Sequence, residues 1–230
     1  MADRRFPENE SLRYYQRLTK DVYTIPSDRY FSVPDLLMNQ QRFTMRALKG
    51  IRKGDQEKLV RNLLIAFCWG MAIPNRFQFD IEDLVWRRFP MLCSYCGTRP
   101  CSCRKMKPTK RLRIRRVKAL RPKRLLDFQK MFLEIYPPEA RTLQHAGVHL
   151  GEEMGEVSEA VHTYFGEHKK KQLEAVKEEI ADYLSCIFGV ANSAGINIAR
   201  ESAKMFSKNC YVCHKIPCEC AFSFISTFKS

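Results

Sequence analysis

Apolar residues recur every three or four positions along most of this chain, and that spacing predicts amphipathic helices. Leu59, Leu63, Phe67 and Met71 mark one such helix face. The alternation of apolar and polar residues that a strand requires is absent over any useful length. The pattern therefore predicts an all-α protein. The predicted helices are Ser11–Tyr23, Pro34–Lys49, Asp55–Ala72 and Asp80–Phe89, followed by Arg124–Tyr136, Pro138–Phe165, Lys170–Ser193 and Asn197–Asn209.

Prolines and glycines set the expected helix ends. Pro74 is expected to end the third helix, because proline lacks the backbone N–H that the next turn needs. Pro137 and Pro138 separate the fifth predicted helix from the sixth, and Gly166 and Gly195 mark turns in the second half. The chain is thus expected to form two sets of four helices with short connections.

The two sets resemble each other at a constant offset of 117 residues. Comparing Val33–Cys103 with Leu150–Cys220 gives 71 aligned pairs and ten identities, five of which are four cysteines and a proline. The apolar positions of the third helix in each set also coincide. Two unrelated zinc-binding segments are the simpler alternative, but a tandem duplication explains the helical pattern as well. The predicted domains are residues 1–103 and 125–230, joined by residues 104–124.

Eight of the ten cysteines form two blocks with the spacing C-x2-C-x4-C-x-C. Disulfides would suit a secreted protein, but the N-terminus has no apolar signal segment. Four thiolates at this spacing can surround one tetrahedral ion, so each block predicts a structural zinc site. His214 stands where Gly97 stands and is not expected to be a ligand. The first cysteine block is Cys93, Cys96, Cys101 and Cys103, and the second is Cys210, Cys213, Cys218 and Cys220.

Positive charge is concentrated in one stretch. The chain has 40 Lys and Arg against 25 Asp and Glu, a net charge of +15. Residues 104–124, called here the basic segment, hold twelve of the basic residues and no acid, and without them the net charge would be +3. Such a segment could bind nucleic acid or an acidic protein, or serve as an extended solvated linker. No apolar run approaches the roughly 18 residues of a membrane span, so a cytoplasmic protein without membrane contact is expected.

Two acidic pairs stand out in the second half. Glu153 and Glu156 lie three residues apart on one predicted helix, as do Glu179 and Asp182 on the next, so each pair shares a helix face. Apolar residues flank both pairs, and a charge beside core positions needs a partner. A solvated acidic face is the ordinary alternative. Four converging carboxylates, however, favour a hard divalent cation such as Mg²⁺.

At these residues the chain resembles the MazG-like group of all-α nucleoside triphosphate pyrophosphohydrolases. Their signature, EExxE on one helix and ExxD on the next, corresponds to Glu152–Glu156 and Glu179–Asp182. The resemblance implies Mg²⁺-dependent cleavage of a nucleoside triphosphate to a monophosphate and pyrophosphate. It implies Glu153, Glu156, Glu179 and Asp182 as metal ligands, Glu152 or Glu178 as the base that activates water, and Lys204 and Lys208 as candidate phosphate contacts.

The first repeat lacks this chemistry, because Leu36, Asn39, Asn62 and Ile65 align with the four metal carboxylates. Family members commonly assemble as dimers whose subunits complete each other's sites. The resemblance therefore implies two MazG-like repeats packed as a pseudo-dimeric helix bundle, each ending in a four-cysteine zinc knuckle. The first repeat would be a built-in, degenerate partner. The chain would be a monomer or a dimer of this unit, and the nucleotide it cleaves is left open.

A second class of function is also open. A zinc-knuckle nucleic-acid-binding protein would use the basic segment, and its hydrolase fold would be vestigial. The complete set of carboxylates in one repeat favours the enzyme, since drift alone would not obviously spare one whole set.

Overall fold

The computed structural model describes residues 6–228, and within that range the chain is all-helical without a strand. The all-α prediction is confirmed. Two 3-10 turns, Lys118–Leu120 and Pro138–Ala140, precede helices of the second half. The α-helices are α1 Leu12–Tyr30, α2 Val33–Lys53, α3 Gln56–Arg76, α4 Ile81–Arg88, α5 Leu125–Ile135, α6 Leu143–Glu167, α7 Lys170–Ser193, α8 Ile198–Met205 and α9 Phe222–Thr227.

Several predicted helix ends are wrong. Helix α1 continues to Tyr30 with Pro26 inside it, and α3 passes through Pro74 to Arg76. Pro74 does not stop α3 because the backbone bonds beyond it still form: Phe77 N donates to Ile73 O at 3.0 Å. Helix α6 begins only at Leu143, after a 3-10 turn, because the Thr142 side chain caps it. The short helix α9 is not part of the predicted pattern.

Each half contains the same hydrogen bonds around one glutamine of its first helix. The glutamine amide donates to an asparagine side chain at 3.0 Å and to a carbonyl at 2.6 Å. Its oxygen accepts the N–H that begins the fourth helix at 3.0 Å. The partners in the two halves are 117 residues apart, but the glutamines are 113 residues apart. The constant offset of 117 residues therefore does not extend back to the first helix of each half. The two sets are Gln16 with Asn75, Phe79 and Ile81, and Gln129 with Asn192, Ile196 and Ile198.

The halves contact each other reciprocally. Helices α2 and α3 form one helix pair and α6 and α7 the other, with α2 against α6 and α3 against α7. Helix α4 of the first half packs on α7, and α8 of the second half packs on α3. The apolar core runs without interruption across both halves, as the rings of Phe67 and Phe188 at 5.9 Å illustrate. A buried bond of 2.9 Å also joins the hydroxyls of Thr44 and Tyr183.

Each cysteine block also contacts the opposite half of the chain. Cys101 N in the first block donates to Ile135 O at 2.8 Å, on α5 of the second half. Cys218 N in the second block donates to Val22 O at 2.7 Å, on α1 of the first half. Each block is therefore anchored to the first helix of the opposite half, and each couples the two halves through backbone hydrogen bonds.

Candidate active site and metal centres

Both cysteine blocks have the dimensions of a tetrahedral metal site. Four thiolates about 2.3 Å from one tetrahedral ion lie about 3.8 Å apart. In the first block Cys93 Sγ lies 3.8 Å from Cys103 Sγ, and Cys96 Sγ lies 3.9 Å from Cys101 Sγ. In the second block the matching distances, 210 to 220 and 213 to 218, are 4.0 and 3.8 Å. All eight cysteines are free thiols, and each block can hold a metal ion.

At least one thiol in each block has a pKa well below that of a free thiol. A hydrogen bond from the Cys101 thiol and a second from the Tyr136 hydroxyl lower the pKa of Cys93 to about 4. A hydrogen bond from the Cys218 thiol likewise lowers the pKa of Cys210 to about 5. The thiolate is the form that binds a metal, so these shifts favour metal uptake near neutral pH.

His214 does not point into the second block as a ligand. Its ring Nδ1 lies 3.2 Å from the carbonyl oxygen of Cys210. Its φ is +60°, and Gly97, the aligned residue of the first block, has a φ of +66°. The same left-handed turn therefore brings the cysteines of both blocks together, with glycine in one and a strained histidine in the other.

Three of the four predicted metal carboxylates meet between α6 and α7. Oxygens of Glu153, Glu179 and Asp182, called here the carboxylate cluster, all lie within 4.8 Å of one another. The spacing of three residues on α7 places Glu179 and Asp182 on the face that packs against Glu153 on α6. Glu156 lies beside the cluster: its charge raises the pKa of Glu179, but its own oxygen is outside the group within 4.8 Å.

The cluster is electrostatically unfavourable as it stands. Burial raises the pKa of Glu153 to about 8, and the charge of Asp182 adds to the effect. Burial and the same charge raise the pKa of Glu179 to about 7. The Oε2 atoms of Glu153 and Glu179 are buried and accept no hydrogen bond from the described residues. Unpartnered buried carboxylate oxygens within reach of one another are the donor set that a hard divalent cation takes.

An arginine of the first half reaches the cluster. Arg88, at the end of α4, donates from Nε to Asp182 Oδ1 at 2.9 Å and from Nη2 to Asp182 Oδ2 at 2.5 Å. Its Nη1 donates to Glu178 Oε2 at 2.7 Å. The side chains of Arg88 and Asp182 are only 10% and 9% exposed, so this is a buried, bidentate ion pair. The Asp182 carboxylate is therefore already matched by one cation from the other half.

The two candidate bases have different partners. Glu152 Oε2 lies 3.0 Å from His149 Nδ1 on the same helix. Burial lowers the pKa of His149, which keeps its ring neutral near pH 7. Glu178 Oε2 is occupied by Arg88 instead.

The predicted lysine contacts lie elsewhere. Lys204 Nζ donates to Glu201 Oε1 at 2.8 Å on its own helix, and its side chain is 65% exposed. Helix α8 packs mainly against α3 and α5, whereas α4 packs against α7 and its acids. Lys208 is exposed in the turn after α8. None of the contacts found among residues 6–228 joins either lysine to the carboxylate cluster.

The basic segment is docked at two points. Arg111 Nη2 lies 3.5 Å from Asp182 Oδ2, and Leu112 N donates to Tyr95 O at 3.1 Å. Further along, Arg121 pairs with Glu82 and with Asp83 on α4. At these points the basic segment is not a freely solvated linker, because Arg111 and Arg121 form ion pairs with carboxylates of the helices. Eleven of the twelve basic side chains in the segment are nevertheless exposed.

In the first half, residues that align with the carboxylate cluster face a mainly apolar cavity of about 380 Å³. Leu36 and Ile65, which align with Glu153 and Asp182, line it together with aromatic rings such as Trp69. Asn39 and Asn62 are buried, and each donates to a backbone carbonyl of its own helix. Phe224 and Phe228, in and after α9, also line the cavity.

Sequence reasoning misses Arg88 and Arg111, because arginines in a basic chain carry no distinctive spacing. One signal was available at Arg88. It aligns with Met205, and Asp182 aligns with Ile65, so the contact between the halves has a cation and an anion, whereas the residues aligned with that pair have neither.

Comparison with known proteins leaves the family open. No protein-family model matches the chain, and no curated protein or solved structure matches it either. The resemblance to MazG-like pyrophosphohydrolases therefore depends on the acidic motifs quoted above. In the part of the chain that the structure describes, no helix is long and apolar enough to cross a membrane.

Proposed function

We propose that this protein is a Mg²⁺-dependent nucleoside triphosphate pyrophosphohydrolase with one active site, in its second half. The observation that supports the proposal is that oxygens of Glu153, Glu179 and Asp182 lie within 4.8 Å of one another, with two buried carboxylate oxygens that accept no hydrogen bond from residues 6–228. These three side chains would hold the cation, with Glu156 next to them. A bound cation would offset negative charge on the phosphates and lower the pKa of a coordinated water.

In the proposed reaction water attacks the α-phosphorus, and the bond from that phosphorus to the bridging oxygen breaks. The products are a nucleoside monophosphate and pyrophosphate. Glu152 is the better candidate to take the proton from the water, because Glu178 Oε2 already accepts a hydrogen bond from Arg88. Neutral His149 would hold Glu152 in place by donating from Nδ1.

We further propose that each cysteine block holds a structural zinc ion, and that the halves are duplicated repeats packed as a MazG-like pseudo-dimer. The distances between sulfur atoms and the lowered pKa values of Cys93 and Cys210 support zinc. The matched glutamine networks and the reciprocal docking of the blocks support the duplication. Four thiolates fill a tetrahedral ion, so these sites would stabilise the fold and leave no open position for catalysis.

A panel of nucleoside triphosphates tests the enzyme proposal. The full chain is incubated with each nucleotide and Mg²⁺, and pyrophosphate and monophosphate are measured together. We expect equal amounts of both products from at least one nucleotide, and none when a chelator removes the cation. Release of orthophosphate instead, or no product from any nucleotide, would contradict the proposal.

One observation favours a second function, nucleic-acid binding by the basic segment: eleven of its twelve basic side chains are exposed. Binding through phosphates would show little sequence preference and would weaken steeply as salt rises. Replacing Arg113, Arg115, Arg116 and Lys118 together by Gln should flatten that salt dependence. Absence of binding to RNA and DNA at low salt would exclude this function.

A further inference from the structure

A basic cleft lies next to the carboxylate cluster. Its volume is about 300 Å³, and cationic side chains outnumber acids in its lining by four to two. The acids Glu174 and Glu178 pair with Arg87, Lys177 and Arg88. The cations are Arg87 and Arg88 from α4, Arg111 from the basic segment, and Lys177 from α7. Only Lys177 belongs to the helix pair that carries the acids. The first half and the basic segment therefore supply most of the positive charge at this place.

Two of these cations are already within reach of the proposed reaction centre. Arg88 forms two bonds to Asp182, and Arg111 Nη2 is 3.5 Å from the same carboxylate. Arg88 also donates to Glu178, so Arg111 is a second cation at Asp182 in addition to an arginine that already joins two carboxylates. The guanidinium fork also matches a phosphate group in the bidentate geometry with which Arg88 now holds Asp182.

The alignment of the halves gives an independent reason to assign a role to Arg88. Its counterpart, Met205, lies on α8, which packs on α3, the helix of Ile65. Arg88 packs against the helix pair that carries the acids, and Met205 packs against the helix pair in which apolar residues replace them. The arginine therefore accompanies the carboxylate cluster and is not a general feature of the end of the fourth helix.

We infer that Arg88 and Arg111 form a subsite for the phosphate chain of the substrate, supplied to the second-half active site by the first half and the basic segment. The ligand class is an oligophosphate of at least two linked phosphates, and the inference rests on the proposed function for its reaction. When a divalent cation offsets the charge of Asp182, Arg88 and Arg111 can donate to phosphate oxygens without leaving that carboxylate buried and unpaired.

Binding of inorganic tripolyphosphate to the full chain tests the subsite without catalysis. Calorimetric titration in the presence of Mg²⁺ compares the unmodified protein with Arg88→Met, Arg88→Lys and Arg111→Met. We expect Arg88→Met and Arg111→Met each to weaken binding about tenfold or more, as loss of a charge-assisted bond predicts. Arg88→Lys should fall between, because it keeps the charge and loses the fork.

The controls separate this subsite from a structural role. Arg61→Met removes an exposed arginine paired with Glu57 on α3, away from the cleft, and should leave tripolyphosphate affinity unchanged. Binding of Mn²⁺ in place of Mg²⁺, followed by electron paramagnetic resonance, should be as tight in Arg111→Met as in the unmodified protein. Because Arg111 is 42% exposed, its variant should fold even if Arg88→Met does not.

The outcomes also separate this inference from the proposed function. Tripolyphosphate affinity unchanged in both Arg111→Met and Arg88→Lys would overturn the subsite even if the protein hydrolyses nucleotides. A tenfold loss in Arg111→Met, with Mn²⁺ binding intact, would support the subsite even if no nucleoside triphosphate is cleaved. In that case the proposed reaction would fail and the oligophosphate site would remain.

Discussion

The carboxylate cluster and the aligned region of the first half are built on the same kind of helix pair, but one is acidic and the other is apolar. In the second half Glu153 and Glu179 carry raised pKa values, and Asp182 needs Arg88. In the first half Leu36 and Ile65 line a cavity and need no partner for charge. The difference teaches that the helix pair folds without acids. The acids of the second half are held against their electrostatic cost, which is typical of a functional site.

The largest expected effect comes from removing one acid from the intact site. Asp182→Asn should reduce pyrophosphate release by about 1,000-fold or more, because the cation loses a charged ligand and Arg88 loses one of its two carboxylate partners. Steady-state kinetics with the best nucleotide, together with circular dichroism, measures this. Asn39→Ala is the matched change in the first half and should cost far less. Full activity of Asp182→Asn would refute the assignment of the site.

The reverse change should damage the first half. Ile65→Asp would bury a carboxylate at a position that is 1% exposed, and the residue that aligns with Arg88 is Met205. We expect the free energy of unfolding to fall by about 3–5 kcal/mol, as for an unpaired buried charge. Urea denaturation measures this, with Ile65→Leu as a control expected to lose less than about 1.5 kcal/mol. A loss below about 1 kcal/mol in Ile65→Asp would mean that this region tolerates charge.

The cysteine blocks should be equivalent where the helix pairs are not. Cys96→Ser and Cys213→Ser should each lower the metal content by about one ion per chain and the free energy of unfolding by about 2–4 kcal/mol. The two losses should be similar, because each block is anchored to the first helix of the opposite half. Elemental analysis and calorimetry measure both. Cys68→Ala, outside the blocks, should keep the full metal content. A chain without zinc after purification under reducing conditions would refute the zinc sites.

The cost of the acids should appear as a pH dependence of stability. Glu153 has a pKa of about 8 when folded, against 4.5 for the free side chain. Between these values the folded chain keeps a proton that the unfolded chain has lost, so this residue's contribution to stability falls as pH rises through the window. Without divalent cations, Glu153→Gln should raise the Tm by about 2–4 °C at pH 9 and leave it unchanged at pH 4.5. Glu159→Gln, an exposed change on the same helix, should show no such difference; an equal shift at both pH values for Glu153→Gln would argue against a raised pKa.

The smallest effect is expected at the lysines of the fourth helix of the second half and the turn after it. Lys204→Ala and Lys208→Ala should change catalytic efficiency by less than about twofold, since exposed charges outside a site contribute little. Kinetics under the conditions used for Asp182→Asn measures this. A tenfold loss in either variant would restore the assignment of these lysines as phosphate contacts and weaken the case for Arg88.

Much of the local structure could be predicted from sequence, for identifiable reasons. The spacing of Leu59, Leu63, Phe67 and Met71 is a property of one helix and survives in α3. The cysteine blocks are also local, because four ligands lie within eleven residues of each other. Helix ends were harder. Pro74 is buried inside α3, where tertiary packing outweighs the propensity of proline to end a helix.

The candidate site divides in the same way. The acidic spacing predicted that four carboxylates converge between α6 and α7, and three of them, Glu153, Glu179 and Asp182, lie within 4.8 Å of one another. Glu156 lies outside this group, because the rotation of α6 about its axis decides which member of an i, i+3 pair points toward α7. Arg88 lies 94 residues from Asp182, and no helical periodicity relates residues at that distance.

The sequence by itself determined the helical class, the two four-thiolate blocks and the acidic pair of helices, since each depends on spacings of a few residues along one helix or turn. Only the tertiary structure decided that α4 packs on α7, that each cysteine block is anchored to the opposite half, and that Arg88 and Arg111 meet the acids. These contacts join surfaces far apart in the chain. Their energies come from burial and charge pairing that exist only after the two halves have packed together.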